Sequence, residues 1–213
     1  RRMIYGSSGE DSDSGGVISP TFNQGESMPE APMIVQHPID AIPQTTGDFE
    51  AFKFLLFELV TQGRYQRVVE VGTDVGDSTR IFSTALQATA GQLITIDNVA
   101  PKGNWHEAWP VKNVKFITSD VKLLQWKEPI DLLFLDGDHT YEALKWELSN
   151  LGVHVREGGK VLCHDIYHSE FGEQITKAVK EWTKLHELCW TAYPHQHGMA
   201  IIEVSHPLQK GTP

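Results

Sequence analysis

Residues 132–141 read LLFLDGDHTY. Four apolar residues run unbroken into Asp136, Gly137, Asp138 and His139. A short apolar run closed by glycine and polar residues predicts a strand buried on both faces, as strands of a parallel sheet are. Such a strand delivers two carboxylates and an imidazole to its carboxyl end, the edge where ligands bind in open α/β sheets.

The flanking sequence repeats the pattern. DFEAFKFLLFELVTQG (48–63) predicts a helix with Asp48 as its cap and Gly63 at its end. RVVEVG (67–72) predicts a strand, DSTRIFSTALQATA (77–90) an amphipathic helix, and QLITIDN (92–98) and NVKFITSD (113–120) two further strands. A short helix is expected at 121–126, and the quoted stretch belongs to a fourth strand, 130–138. Then come a helix over 140–155, a fifth strand over 158–165 (GGKVLCHD), a helix over 171–185, and a hairpin-like pair at 186–193 and 198–205. Alternating strands and helices predict a mostly parallel α/β sheet with helices on both faces. Asp97, Asp120, Asp136 and Asp165 close four of the first five strands, and Glu70 stands just before the turn of the other. One polar mouth is expected.

Composition fits one domain plus a tail. The chain has 213 residues, 40% hydrophobic and 22% charged, with a net charge of −10. That acidity disfavours nucleic acid as a general partner. No apolar run approaches the ~20 residues of a membrane span, and no secretory signal is read ahead of the domain. A cytoplasmic protein with no membrane or nucleic-acid partner is expected. Cys163 and Cys189 both lie in apolar stretches and read as buried free thiols. Residues 1–47 are polar, acidic and rich in proline. They read as a flexible arm whose later part, 31–47, can pack on the domain or on a second copy of the chain. The domain proper spans 48–213.

VVEVGTDVGDST (68–79) is the first strand-to-helix loop. Gly72 permits a tight turn, Gly76 lets the helix start close to a ligand, and Asp77, Ser78 and Thr79 can cap that helix. Asp74 stands where a dinucleotide loop needs glycine. Acids at 70, 74 and 77 suit a ligand bearing an amine. Asp97 follows Gly72 by 25 residues, the kind of spacing at which an acid accepts hydrogen bonds from ribose hydroxyls. Ser119-Asp120 closes the third strand, where a carboxylate can accept from a nucleobase amine or cap the following turn. NWHEAWP (104–110) and the histidines of AYPHQHGM (192–199) admit binding roles, the latter reading more simply as a loop.

Together, E-x-G-x-x-x-G-x-S at 70–78, Asp97, Ser119-Asp120, LFLDGDHTYEAL at 133–144 and GGKVLCHD at 158–165 resemble class I S-adenosylmethionine (SAM)-dependent methyltransferases. The nearest likeness is to the small-molecule O-methyltransferase-like group carrying a DGDHTYE signature, over residues 48–205. The resemblance implies a Rossmann-like seven-stranded sheet of order 3-2-1-4-5-7-6. It also implies that S-adenosyl-L-methionine is the cofactor and a small-molecule hydroxyl the acceptor. Glu70, Gly72, Thr73, Gly76 and Ser78 would surround the methionine part, Asp97 the ribose, and Ser119 with Asp120 the adenine. Asp136 would sit beside the reacting methyl group.

Metal-dependent relatives bind Mg²⁺ with the acid ending strand four and a pair ending strand five, here Asp136, Asp165 and Ile166. Ile166 cannot ligate. Asp138, His139, His164 or His168 could complete a site that takes Mg²⁺ or another divalent cation. The metal-free reading makes His139 the general base, oriented by Asp136 or Asp165. His164 reads either as a site residue or as a satisfied core histidine. Two other functions compete: a nicotinamide-dependent oxidoreductase, which the absence of GxGxxG disfavours, and a non-catalytic assembly module that retains the fold.

Overall fold

The computed structural model describes Thr45 and residues 47–100 and 112–209. Nearly all of the expected arm and all of NWHEAWP lie outside those residues. The elements are α1 (Phe49–Gly63), β1 (Arg67–Val71), α2 (Asp77–Thr89), β2 (Gln92–Asp97), β3 (Val114–Thr118), β4 (Ile130–Leu135), α3 (Tyr141–Asn150), β5 (Val155–His164), α4 (Gly172–Leu185), β6 (Trp190–Tyr193) and β7 (Met199–Glu203). The strands form one seven-stranded sheet in the order β3-β2-β1-β4-β5-β7-β6. Pairings among β1 to β5 are parallel. β7 runs antiparallel to both β5 and β6. This is the expected fold.

Side chains alternate across the pleat, so each apolar strand serves two cores. Val68, Leu132, Phe134 and Leu162 face α1 and α2, against Phe52, Leu56, Ile81 and Phe82. Val69, Leu133, Leu135, Val161 and Cys163 face α3 and α4, against Leu144, Leu148, Ile175 and Val179. Each fully buried Val, Leu, Ile or Phe stabilises by roughly 1.5–3 kcal/mol before entropy is counted. The carboxyl ends of β1 to β5 are thereby anchored, and the loops after them can hold polar groups.

Several local expectations are corrected. The helix expected over 140–155 stops at Asn150, and a 3₁₀ turn, Gly152–His154, leads into β5. Val155 is taken by Ile130 across the β4–β5 ladder, a partner no local pattern shows. The 121–126 helix is a single 3₁₀ turn, Val121–Leu123, capped by the Asp120 side chain on the Lys122 amide. Asp48 makes no side-chain cap on α1. Gly76, in a left-handed conformation, is the N-cap of α2, and none of Asp77, Ser78 and Thr79 occupies that place. Cys163 is buried, but Cys189 is exposed.

Candidate active site

The loops after the strands enclose a cleft of about 880 Å³, within the usual size of small-molecule sites. Asp97, Asp120, Asp136 and Asp165 all line it, so the expected polar mouth exists. Gly72, Thr73, Ser78 and Ser119 line it as well.

Gly72 shows why this loop requires glycine. Its φ is 96°, and an added Cβ would lie 2.2 Å from the Asp136 carbonyl oxygen. The β1 loop therefore lies directly against the β4 loop. The Asp97 carboxylate fixes the same loop from the other side. Its Oδ2 accepts from the amides of Thr73 (2.8 Å) and Asp74 (3.2 Å), and its Oδ1 from the Val99 amide at 3.0 Å. Thr73 also hydrogen-bonds Thr95 through its hydroxyl at 2.6 Å.

Glu70 is placed differently from its expectation. It is fully buried and is not among the residues lining the cleft. Its two carboxyl oxygens accept from the hydroxyls of Ser78 and Thr79, each at 2.6 Å. Burial raises its pKa to about 7, against the lowering effect of those hydroxyls. Glu70 thus ties the first turn of α2 to β1 from behind the wall.

The second half of the cleft collects histidines and acids from four segments. His139 Nε2 lies 3.4 Å from Asp136 Oδ1 and 3.2 Å from Asp165 Oδ2. Its ring stacks on Phe171 at 4.5 Å, and Phe171 stacks in turn on His168 at 3.7 Å. The stack fixes the ring plane and the carboxylates fix its polar edge. Hydrogen bonding to Asp136 raises the His139 pKa above its ordinary value, against an opposing effect of burial. Asp136 responds in the opposite sense. Burial pushes its carboxyl up, but His139 and His164 outweigh that and hold it below the usual carboxylate range.

His164 belongs to both the core and the site. Its ring stacks on Phe49 and meets Phe52 edge-on. Its Nδ1 lies 3.2 Å from Asp136 Oδ1 and 3.1 Å from Asp165 Oδ1. Burial favours the neutral ring, but the hydrogen bond to Asp136 and the negative charge of both acids prevail and raise its pKa to about 10. A buried imidazolium therefore offsets part of the carboxylate charge. Asp165 holds a left-handed backbone, φ 63°, an uncommon state for a residue with a Cβ. That conformation turns the chain at the end of β5 and brings its carboxylate between three imidazoles. The third is His197, whose Nδ1 lies 2.8 Å from Asp48 Oδ2 and 3.4 Å from Asp165 Oδ1.

Asp136, His139 and Asp165 thus stand together, whereas the sequence alone reads Asp48 as a helix cap and His197 as a loop residue. Both join the cluster. Ile166 is buried among apolar side chains, so the residue after Asp165 supplies no ligand, and the further carboxylate beside Asp165 is that of Asp48. Asp138 is exposed and accepts from the Thr140 amide at 3.0 Å. Two sets of three donors, Asp136–His139–Asp165 and Asp48–His164–Asp165, each lie within 4.8 Å of one another.

Residues 69–166 match a family model described as a methyltransferase domain. Solved structures share the fold. The cofactor-bound Rv0187 protein from MTB is 20% identical, with a TM-score of 0.59 over 79% of this chain and 87% of that one. The O-methyltransferase from Bacillus cereus, solved in complex with SAH, is 17% identical, with a TM-score of 0.58 over 76% and 84%. TomG from Streptomyces achromogenes, an O-methyltransferase involved in tomaymycin synthesis and solved with SAM, is 17% identical, with a TM-score of 0.58 over 76% and 83%.

Proposed function

We propose that this chain is a SAM-dependent methyltransferase that transfers a methyl group to a hydroxyl of a small molecule, such as a sugar or natural-product intermediate. The observation that carries the reading is the juxtaposition at the β1 and β4 ends. A glycine loop anchored by Asp97 abuts the Asp136 backbone, and Asp136, His139 and Asp165 open onto the same cleft. The methyltransferase-domain match over 69–166 and the SAM- or SAH-bound neighbours support the cofactor. The cleft fits it, having a close-approach glycine turn at one end and strand-end acids for an amine, ribose and base.

When bound, SAM supplies a methyl group already activated by its sulfonium, so the chain has to align the acceptor and remove its proton. His139 is the base. With Nε2–H donated toward Asp136 and Asp165, Nδ1 keeps the lone pair that takes the hydroxyl proton. The two acids then stabilise the imidazolium. Because the base must be neutral and its pKa is raised, turnover rises with pH through a value above 6.5. His164 keeps the two acids together without requiring a metal.

A second reading rests on the two donor sets. Mixed carboxylate and imidazole ligands suit Mn²⁺, Fe²⁺ or Zn²⁺ better than Mg²⁺. Asp136, Asp165 and His139 would then hold the cation and draw the acceptor oxygen toward it.

The test is calorimetric titration with SAH, with EDTA or with added divalent cations, followed by methyl transfer from labelled SAM to a panel of hydroxylated acceptors. Micromolar SAH binding and metal-independent transfer are expected. His139→Ala should keep SAH binding and lose about 10²–10⁴-fold in turnover. Loss of transfer in EDTA with recovery on Mn²⁺ would move the second reading ahead. Failure to bind SAH, or tighter binding of NADH, would overturn both.

A further inference from the structure

Glu147 lies on α3, one turn beyond Ala143, and both residues line the cleft on the side of Asp120, Val121 and Lys122. It is 2% exposed. Among the described residues its carboxyl has no hydrogen bond or ion pair. Its oxygens are not among the buried polar atoms left without a partner, so they keep contact with the solvent of the cleft that the residue lines. Small Ala143 leaves room in front of it, and the cleft is what it faces.

This end of the cleft lies beside the ends of β2 and β3, where Asp97 and Asp120 sit. On the methyltransferase reading, which this inference rests on and deepens, the nucleoside occupies that end. We propose that Glu147 is a specificity-determining contact of the nucleobase, its carboxylic acid pairing with a base edge that carries an exocyclic amine beside a ring nitrogen. The carbonyl oxygen accepts from the amine and the hydroxyl donates to the ring nitrogen. Adenine offers that pair at N6 and N7, where hypoxanthine presents O6 and N7, two acceptors for the single hydrogen of the acid.

The surroundings keep the acid protonated. Burial is the largest cause and repulsion from Asp138 and Asp120 adds to it, while Lys122 opposes. The result is a pKa of about 8. The other titratable groups facing it are Cys163 of β5 and, across a small cavity of about 10 Å³, His139 and His164.

The experiment is calorimetric titration of the full chain with SAH and with S-inosylhomocysteine, from pH 6.5 to 9, for wild type, Glu147→Gln and Glu147→Leu. Wild type should bind SAH about tenfold more weakly at pH 9 than at pH 7, and should bind the inosyl analogue at least tenfold more weakly than SAH at pH 7. Glu147→Gln keeps a donor and an acceptor in the same volume. It should bind SAH within about threefold of wild type at pH 7 with the pH dependence gone. Glu147→Leu should weaken SAH at least tenfold and lose the preference over the inosyl analogue. Equal pH slopes in wild type and Glu147→Gln, or full affinity in Glu147→Leu, would overturn the assignment while leaving the cofactor in place. If wild type binds SAH at no pH, the inference falls together with the methyltransferase reading, and the wild-type titration alone shows it.

Discussion

Replacing Glu70 by Gln separates a structural tie from a cofactor contact. The carboxyl is fully buried and its pKa is raised from 4.5 to about 7. The folded chain therefore keeps this proton up to about pH 7, whereas the unfolded chain releases it near 4.5. Between those values the folded state binds more protons, so stability falls as pH rises. The gap of 2.5 pH units (7 − 4.5), at 1.36 kcal/mol each, makes the ionised form about 3 kcal/mol costlier at pH 8 than the protonated form at acid pH. Glutamine removes that cost. Its amide must find acceptors where Ser78 and Thr79 now donate, and re-turning two hydroxyls returns about 1 kcal/mol. Urea denaturation at pH 5, 6, 7 and 8 should show wild type losing roughly 2–3 kcal/mol that Glu70→Gln does not lose. The variant should be the more stable protein at pH 8. SAH affinity should stay within about threefold, because Glu70 sits behind the cleft wall. Parallel stability curves would refute the linkage argument. A tenfold loss of SAH affinity would instead restore Glu70 to the place that the resemblance gives it.

Gly72→Ala should destabilise by about 2–5 kcal/mol, since it combines a left-handed backbone with a Cβ driven into the Asp136 carbonyl. Thermal melts and SAH titration should both register it, with affinity down more than tenfold. His164→Phe should cost on the order of 3–5 kcal/mol at neutral pH, because Asp136 and Asp165 lose their buried counter-charge. A histidine with a raised pKa stabilises fully below its unfolded value and loses that contribution as pH rises through the folded one. The deficit of this variant should therefore shrink between about pH 6.5 and 10. His164 also lowers the pKa of His139, so the acid limb of any residual pH–rate profile should move upward.

The sheet was legible because its strands are short apolar runs whose partners follow from one rule, alternation with helices. LLFL and VVEV need no distant information to read as buried strands. The helix at 140–155 was misread because Val155 obeys Ile130 rather than its own neighbours. The site divides in the same way. Asp136 and His139 are three residues apart and stand on one loop, so sequence alone brings them together. Asp48 and His197 are joined only by the fold, 2.8 Å apart at opposite ends of the domain's sequence. Glu70 shows a different limit. A strand-end acid reads as a ligand contact, but the pleat turns it toward α2, where two hydroxyls await it. Nothing in the spacing of the glycine loop distinguishes an acid in the cleft from one behind it.

The antiparallel course of β7 explains why the Asp136–Asp165 end of the cleft is rich in imidazole. Were β7 parallel to β5, the loop before it would lie at the amino edge of the sheet, away from all of this chemistry. Because β7 runs the other way, Met199 pairs with His164 and the residues just before it stand over the carboxyl edge. The His197 carbonyl accepts from the Tyr167 amide at 2.6 Å, which pins that loop to the turn after β5. Its imidazole then reaches Asp165 from one side while Asp48, at the start of α1, holds it from the other. The cluster therefore draws on the two ends of the domain as well as on its middle. Any substitution that frees the 194–198 loop should act on Asp165, and through Asp165 on the orientation of His139, without touching the glycine loop at the far end.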